Sequence, residues 1–208
     1  MHYGEWIPEI EGKNNVLILG ESHYEDNGKQ GIPGDYPTSA VINTYIGGER
    51  GDWTRFFTNI ARSFNSNVVE FYKRVYFGNY VDVLCSKGST SNAEHYIHQD
   101  RIKYNKELFD FCNNNKINVL MCFSIRAYNA LPSSDKSVGI KEELIDVKSI
   151  CKVRKYIYMP NIDYEGLSLK NKLIVYGIQH PSRGYSHTLV YNNCIRKQKE
   201  LKWLCDLK

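Results

Sequence analysis

The chain has 208 residues, with 27 Lys and Arg against 23 Asp and Glu, a net charge of +4, and 42% hydrophobic with 24% charged side chains. That balance excludes a disordered or fibrous chain, and the length suits a single domain over 1–208. A sequence pI near 8.6 is too mildly basic to identify a nucleic-acid binder by itself.

The chain opens with MHYGEWIPEI, which carries neither the basic start nor the apolar run of a secretory signal. No apolar stretch approaches the roughly 20 residues that span a bilayer, so no membrane partner is expected. The first apolar run, at 16–19, is Val-Leu-Ile-Leu, and it closes on Gly20-Glu21-Ser22-His23-Tyr24. Residues 27–51 are rich in Gly, Pro and Asn and read as a long loop or lid. Residues 52–61 place Trp53, Phe56, Phe57 and Ile60 on one face at helical spacing. A second run at 75–77 ends in Gly78-Asn79-Tyr80, and a helix is predicted over 102–112 around Leu108, Phe109 and Cys112. The third run, 117–123, leads into Ser124-Ile125-Arg126-Ala127 and a helix over 125–131 that Pro132 stops. Residues 132–172 read as an irregular insertion. The fourth run, 173–178, is followed by Gln179-His180-Pro181-Ser182-Arg183-Gly184-Tyr185, and 189–204 reads as a basic C-terminal helix.

The four runs lack sustained alternation, as expected of strands buried on both faces of a parallel sheet. With helices between them, the predicted fold is α/β: a three-layer α/β/α sandwich with a central, mainly parallel sheet of about four strands. Six cysteines (85, 112, 122, 151, 194 and 205) include no C-x-x-C pair, so a reduced, cytoplasmic protein is expected.

Other motifs carry less. Glu94-His95-x-x-His98 sets two imidazoles one helical turn apart without an evident third ligand, so no metal is expected. Ser22, His23 and Asp26 are a hydrolase triad only in composition, and no Gly-x-Ser-x-Gly elbow is present. Gly47-Gly48 forms neither a P-loop nor a dinucleotide fingerprint.

Open parallel sheets bind ligands beyond the carboxyl ends of their strands. The residues after the four runs would therefore bring a carboxylate, an amide and an imidazole to one edge, a set suited to hydrolysis around a polar heterocycle. Each has a structural alternative. Glu21 suits a helix N-terminus electrostatically. Asn79 can satisfy backbone groups at a strand end. His180 can be a buried loop residue, and Tyr24, Tyr36 and Phe77 can be core aromatics rather than base-stacking ones. The basic stretch 196–203 is either a phosphate contact or a solvated helix face.

The order of these islands (strand–Gly-acid turn, strand–Asn, strand–small-x-x-Ala helix, strand–His-Pro-Ser) resembles the uracil-DNA glycosylase superfamily. The resemblance covers roughly residues 16–26, 75–81, 117–131 and 173–187. It implies that Glu21 positions or activates the attacking water or stabilises the sugar cation, and that His180 stabilises the leaving base. It further implies that Asn79 reads the base edge and that Tyr24 and Ser22 line the base site, while Ser182 contacts a phosphate. Ser22 stands where the best-known branch has its catalytic Asp, and Glu21 matches the acid of the iron–sulfur branch, whose cluster cysteines have no counterpart here. Arg183 or Tyr185 would take the place of the family's wedging Leu, and Arg126 and Arg183 are the sharpest phosphate candidates. The function implied is a DNA glycosylase-like hydrolase that removes uracil or another modified base from single- or double-stranded DNA, with no cofactor. Alternatives are a nucleic-acid or nucleotide binding module on the same scaffold that has lost turnover, and a hydrolase of small N-glycosides.

Overall fold

The structure, a computed structural model, describes residues 15–25, 38–48, 54–86, 90–132, 143–147, 151–181 and 185–208. Its elements run β1 (Asn15–Gly20), β2 (His23–Glu25), α1 (Thr38–Ile46), α2 (Arg55–Arg62), α3 (Val68–Tyr72), β3 (Tyr76–Asn79) and β4 (Leu84–Ser86). There follow α4 (Thr90–Gln99), α5 (Arg101–Asn114), β5 (Ile117–Cys122), α6 (Ile125–Ala130), β6 (Glu143–Val147), β7 (Cys151–Tyr158), β8 (Leu173–Ile178) and α7 (His187–Asn193). Two 3-10 turns, Ile195–Lys197 and Lys199–Leu204, end the chain.

Each of the four apolar runs is a strand, and these four form the parallel part of the sheet. The order is β3-β1-β5-β8-β7-β6, with β3, β1, β5 and β8 mutually parallel and β7 and β6 added antiparallel. Among the described residues the sheet thus has six strands where about four were expected. The additional two come from 132–172, which is not irregular throughout. In β7, Val153 alternates with Lys152 and Arg154, so this peripheral hairpin lacks the continuous apolar run that marks a doubly buried strand. A separate parallel pair, β2 with β4, aligns Tyr24 with Cys85.

The pleat divides the core between two helical layers. From β1, Val16 and Ile18 pack with Phe57, Ile60, Phe71, Tyr72 and Val190 of α2, α3 and α7. Leu17 and Leu19 point the other way, toward Ala93, Tyr104, Leu108, Phe109 and Tyr128 of α4, α5 and α6. All four β1 side chains are fully buried, each worth on the order of 1.5–3 kcal/mol. The fold is therefore the expected α/β/α sandwich.

Two other expectations are corrected. The supposed loop or lid at 27–51 contains α1, flanked by Pro37 and Gly47-Gly48 rather than interrupted by them; residues 26–37 and 49–53, with Tyr36 and Trp53, lie outside the described residues. The C-terminal helix is not continuous. α7 stops at Cys194 (φ −121°, ψ −76°), after the poor helix formers Asn192 and Asn193.

Candidate functional site

The connection from β1 to β3 runs through the α1–α3 layer, and that from β3 to β5 through α4 and α5 on the opposite face. β1 and β5 are neighbours in the sheet, so the crevice beyond their carboxyl ends is the topological switch point, where open α/β sheets place ligands. Glu21 follows β1 and Ser124 follows β5, so both stand at that crevice.

Glu21 is 4% exposed, and its backbone carbonyl accepts from the Val81 amide at 2.9 Å. Its carboxylate is held from the β5 side. Ser124 Oγ donates to Oε2 at 2.6 Å, while Arg126 donates from Nε to Oε2 at 3.1 Å and from Nη2 to Oε1 at 2.5 Å. Ser124 also caps α6, its Oγ accepting from the Ala127 amide at 3.2 Å, so the helix start and the carboxylate share one hydroxyl. The fork geometry is the strong bidentate kind. Arg126, expected at a phosphate, has its guanidinium turned to Glu21.

Asn79 is the last residue of β3 and pairs in register with Gly20 of β1. A Cβ at position 20 would lie 2.3 Å from Asn79 Oδ1 and 3.4 Å from the Phe56 ring, so glycine is what lets the amide lie flat on β1. Asn79 is 6% exposed, and its Nδ2 is buried without a hydrogen-bond partner among the described residues. A buried orphan donor is costly and in a native protein calls for an explanation.

His180 follows β8 by two residues. Its ring sits 5.0 Å from that of Phe56, tilted by 35°. Burial lowers its pKa from 6.5; Glu21 opposes that and Arg126 adds to it, which places His180 within electrostatic reach of both. Phe56 thus touches the Asn79 side of the site through Gly20 and the His180 side through its ring face. Helical spacing marks Phe56 only as a core residue, because that spacing cannot distinguish a side chain that fills the core from one that walls a crevice.

The segment carrying His180 is laid along α2. Asn59 Nδ2 donates to the Pro181 carbonyl at 3.2 Å, and the Ser63 and Tyr185 hydroxyls are 2.6 Å apart. Tyr185, expected at DNA, therefore has its hydroxyl on Ser63 and packs its ring against the core. Ser22 is half-buried, beside Cys85, whose thiol is pushed up by burial, with the Ser22 hydroxyl opposing and Glu21 reinforcing. Burial likewise pushes the Cys122 thiol to about 12, and its Sγ donates to the Ser124 carbonyl at 3.3 Å. The side chain of Tyr24 and all of Ser182 and Arg183 lie outside the described residues.

On α4, Glu94 and His98 face each other at 3.8 Å on an exposed surface, and no group of three or more His, Cys, Asp or Glu is placed to hold a metal among the described residues. No helix there is long and apolar enough to cross a membrane. The crevice thus combines a fixed carboxylate, an unsatisfied amide donor and a largely neutral imidazole at the ends of β1, β3 and β8 with an aromatic wall from α2. In comparisons with known proteins, the chain matches no family model and no curated protein.

Proposed function

We propose that this chain is a DNA glycosylase-like hydrolase, cleaving the N-glycosidic bond of uracil or another modified base. The observation that supports it best is the placement of Glu21, Asn79 and His180 at the carboxyl ends of β1, β3 and β8, linked through Gly20, Phe56 and Arg126. Cleavage of such a bond builds positive charge on the sugar and negative charge on the departing base. A fixed carboxylate at Glu21 stabilises the first. A neutral His180 N–H, donated to the base oxygen, stabilises the second, an effect commonly worth ~3 kcal/mol per donor. The orphan Nδ2 of Asn79 meets a carbonyl on the base edge, and its Oδ1 offers an acceptor to a ring N–H. A base in duplex DNA must first be extruded.

One observation favours the binding module. Glu21 already accepts three hydrogen bonds, from Ser124 and Arg126, which makes it a better fixed charge than a proton acceptor. Oligonucleotides carrying uracil, hypoxanthine or a bulky pyrimidine, single- and double-stranded, separate the readings when scored for alkali-labile abasic sites. Cleavage that Glu21→Gln and His180→Ala both abolish supports the hydrolase. Salt-sensitive binding without cleavage supports the module, and neither result directs attention to free nucleosides.

A further inference from the structure

A cavity of 330 Å³ opens at the far end of α2, lined by Arg62, Asn65, Ser66, His187, Thr188 and Tyr191. Most of its donors are already spent. Asn65 Nδ2 donates to Asp206 Oδ1 at 2.6 Å, and the Tyr191 hydroxyl meets both Asp206 oxygens at 2.9 Å. Ser66 Oγ donates to the Leu204 carbonyl at 2.6 Å. Asp206 is an acidic group on this side, and those donors occupy its carboxylate; Arg196 acts on Tyr191 from the same side.

Three donors remain. Arg62, the last residue of α2, is exposed, and its guanidinium has no hydrogen-bond or ion-pair partner among the described residues. His187, the first residue of α7, feels its charge: desolvation and Arg62 together lower its pKa from 6.5. Thr188 adds an exposed hydroxyl. Two groups of like potential charge turned to one hollow disfavour each other unless an anion lies between them. A guanidinium fork, an imidazole and a hydroxyl make a donor set for a tetrahedral oxyanion.

We infer that this cavity is a phosphate site, formed by Arg62, His187 and Thr188 and distinct from the crevice at the strand ends. Its position names a source. Arg62 is six residues along α2 from Phe56, ~9 Å of helix, and the segment joining His180 to His187 is fastened to the same helix at Asn59 and Ser63. A nucleotide strand with one base in the crevice would run a backbone phosphate past the cavity. That source rests on the reading above; the oxyanion chemistry does not.

Two measurements test it on the whole chain. In the first, inorganic phosphate is titrated while the His187 ring resonances are followed by NMR. Saturable shifts at His187 that Arg62→Ala removes are expected. In the second, an unmodified single strand of about eight nucleotides is bound at two salt concentrations. Arg62→Ala weakens binding about fivefold and lowers the salt slope by about one, whereas Lys172→Ala, an equal loss of charge just before β8, changes affinity less than twofold. Phosphate binding without an Arg62 effect on the strand supports the site with a free phosphate or monoester as its ligand. No shift at His187 together with equal effects of the Arg62 and Lys172 substitutions overturns it. Because the strand carries no modified base, absence of base excision leaves the test untouched.

Discussion

Gly20 and Gly177 show how much of this fold depends on a missing methyl group. At Gly20 a Cβ would strike Asn79 Oδ1 at 2.3 Å, and at Gly177 it would strike the Tyr128 ring at 2.4 Å. Gly20→Ala therefore loses both stability, by about 1–3 kcal/mol in urea denaturation, and the seat of the Asn79 amide. Gly177→Ala costs a similar amount but leaves Asn79 in place, so the pair separates general overpacking from damage to the crevice. His180 makes a second prediction. Well above pH 6.5 both folded and unfolded states hold it neutral, and it adds no pH dependence. As pH falls, the unfolded chain takes up the proton first, so stability declines until the lower folded pKa is passed. His187 acts in the same direction. In His180→Asn the loss of stability between about pH 7.5 and 5.5 is smaller than in the parent chain, as read from denaturation midpoints.

At the scale of elements, α2 organises the loop after β8. Phe56, Asn59 and Ser63 meet His180, Pro181 and Tyr185 in turn, at the i, i+3, i+7 spacing of one helical face. Ser63 Oγ also donates to the Asn59 carbonyl at 2.8 Å, leaving the Tyr185 hydroxyl as the donor to Ser63. Tyr185→Phe is expected to cost about 1 kcal/mol, and a double-mutant cycle with Ser63→Ala to recover most of that as coupling. The helix was legible in the sequence because its apolar period is clear. Its role in holding the loop was not, since Asn59 and Ser63 are polar residues whose partners are 122 positions away.

The whole molecule is closed by its C-terminal turns. Lys155 of β7 donates to Gln198 Oε1 at 3.1 Å and Glu200 Oε1 at 3.2 Å, while the Tyr176 hydroxyl of β8 donates to the same Glu200 oxygen at 2.5 Å. Lys155 and Glu200 are only 14% and 15% exposed, so Glu200→Ala strands a largely desolvated ammonium and is expected to cost about 3 kcal/mol in global unfolding. Four continuous apolar runs fixed the parallel core and the order of its strand ends, because a doubly buried strand writes its environment directly into its composition. The β6–β7 hairpin and α1 were hidden, one by charged alternation at the sheet's end and the other by its Gly- and Pro-rich flanks. Glu21, Asn79 and His180 were legible as residues following those runs. The Arg126 and Ser124 clamp on Glu21 was not, since pairing across 105 and 103 positions leaves no local pattern.

The three strand-end groups are proposed to bind one nucleobase together. The decisive measurement is titration of the full chain with free uracil and other modified bases, followed through the Asn79 side-chain amide and the His180 imidazole by NMR. The two signals are expected to move together along one binding curve, with the Asn79 amide resonance shifting as its nitrogen gains an acceptor and Gly20→Ala removing both responses. If every base tested leaves both signals unmoved, or shifts one while the other stays fixed, the strand ends do not form a base site.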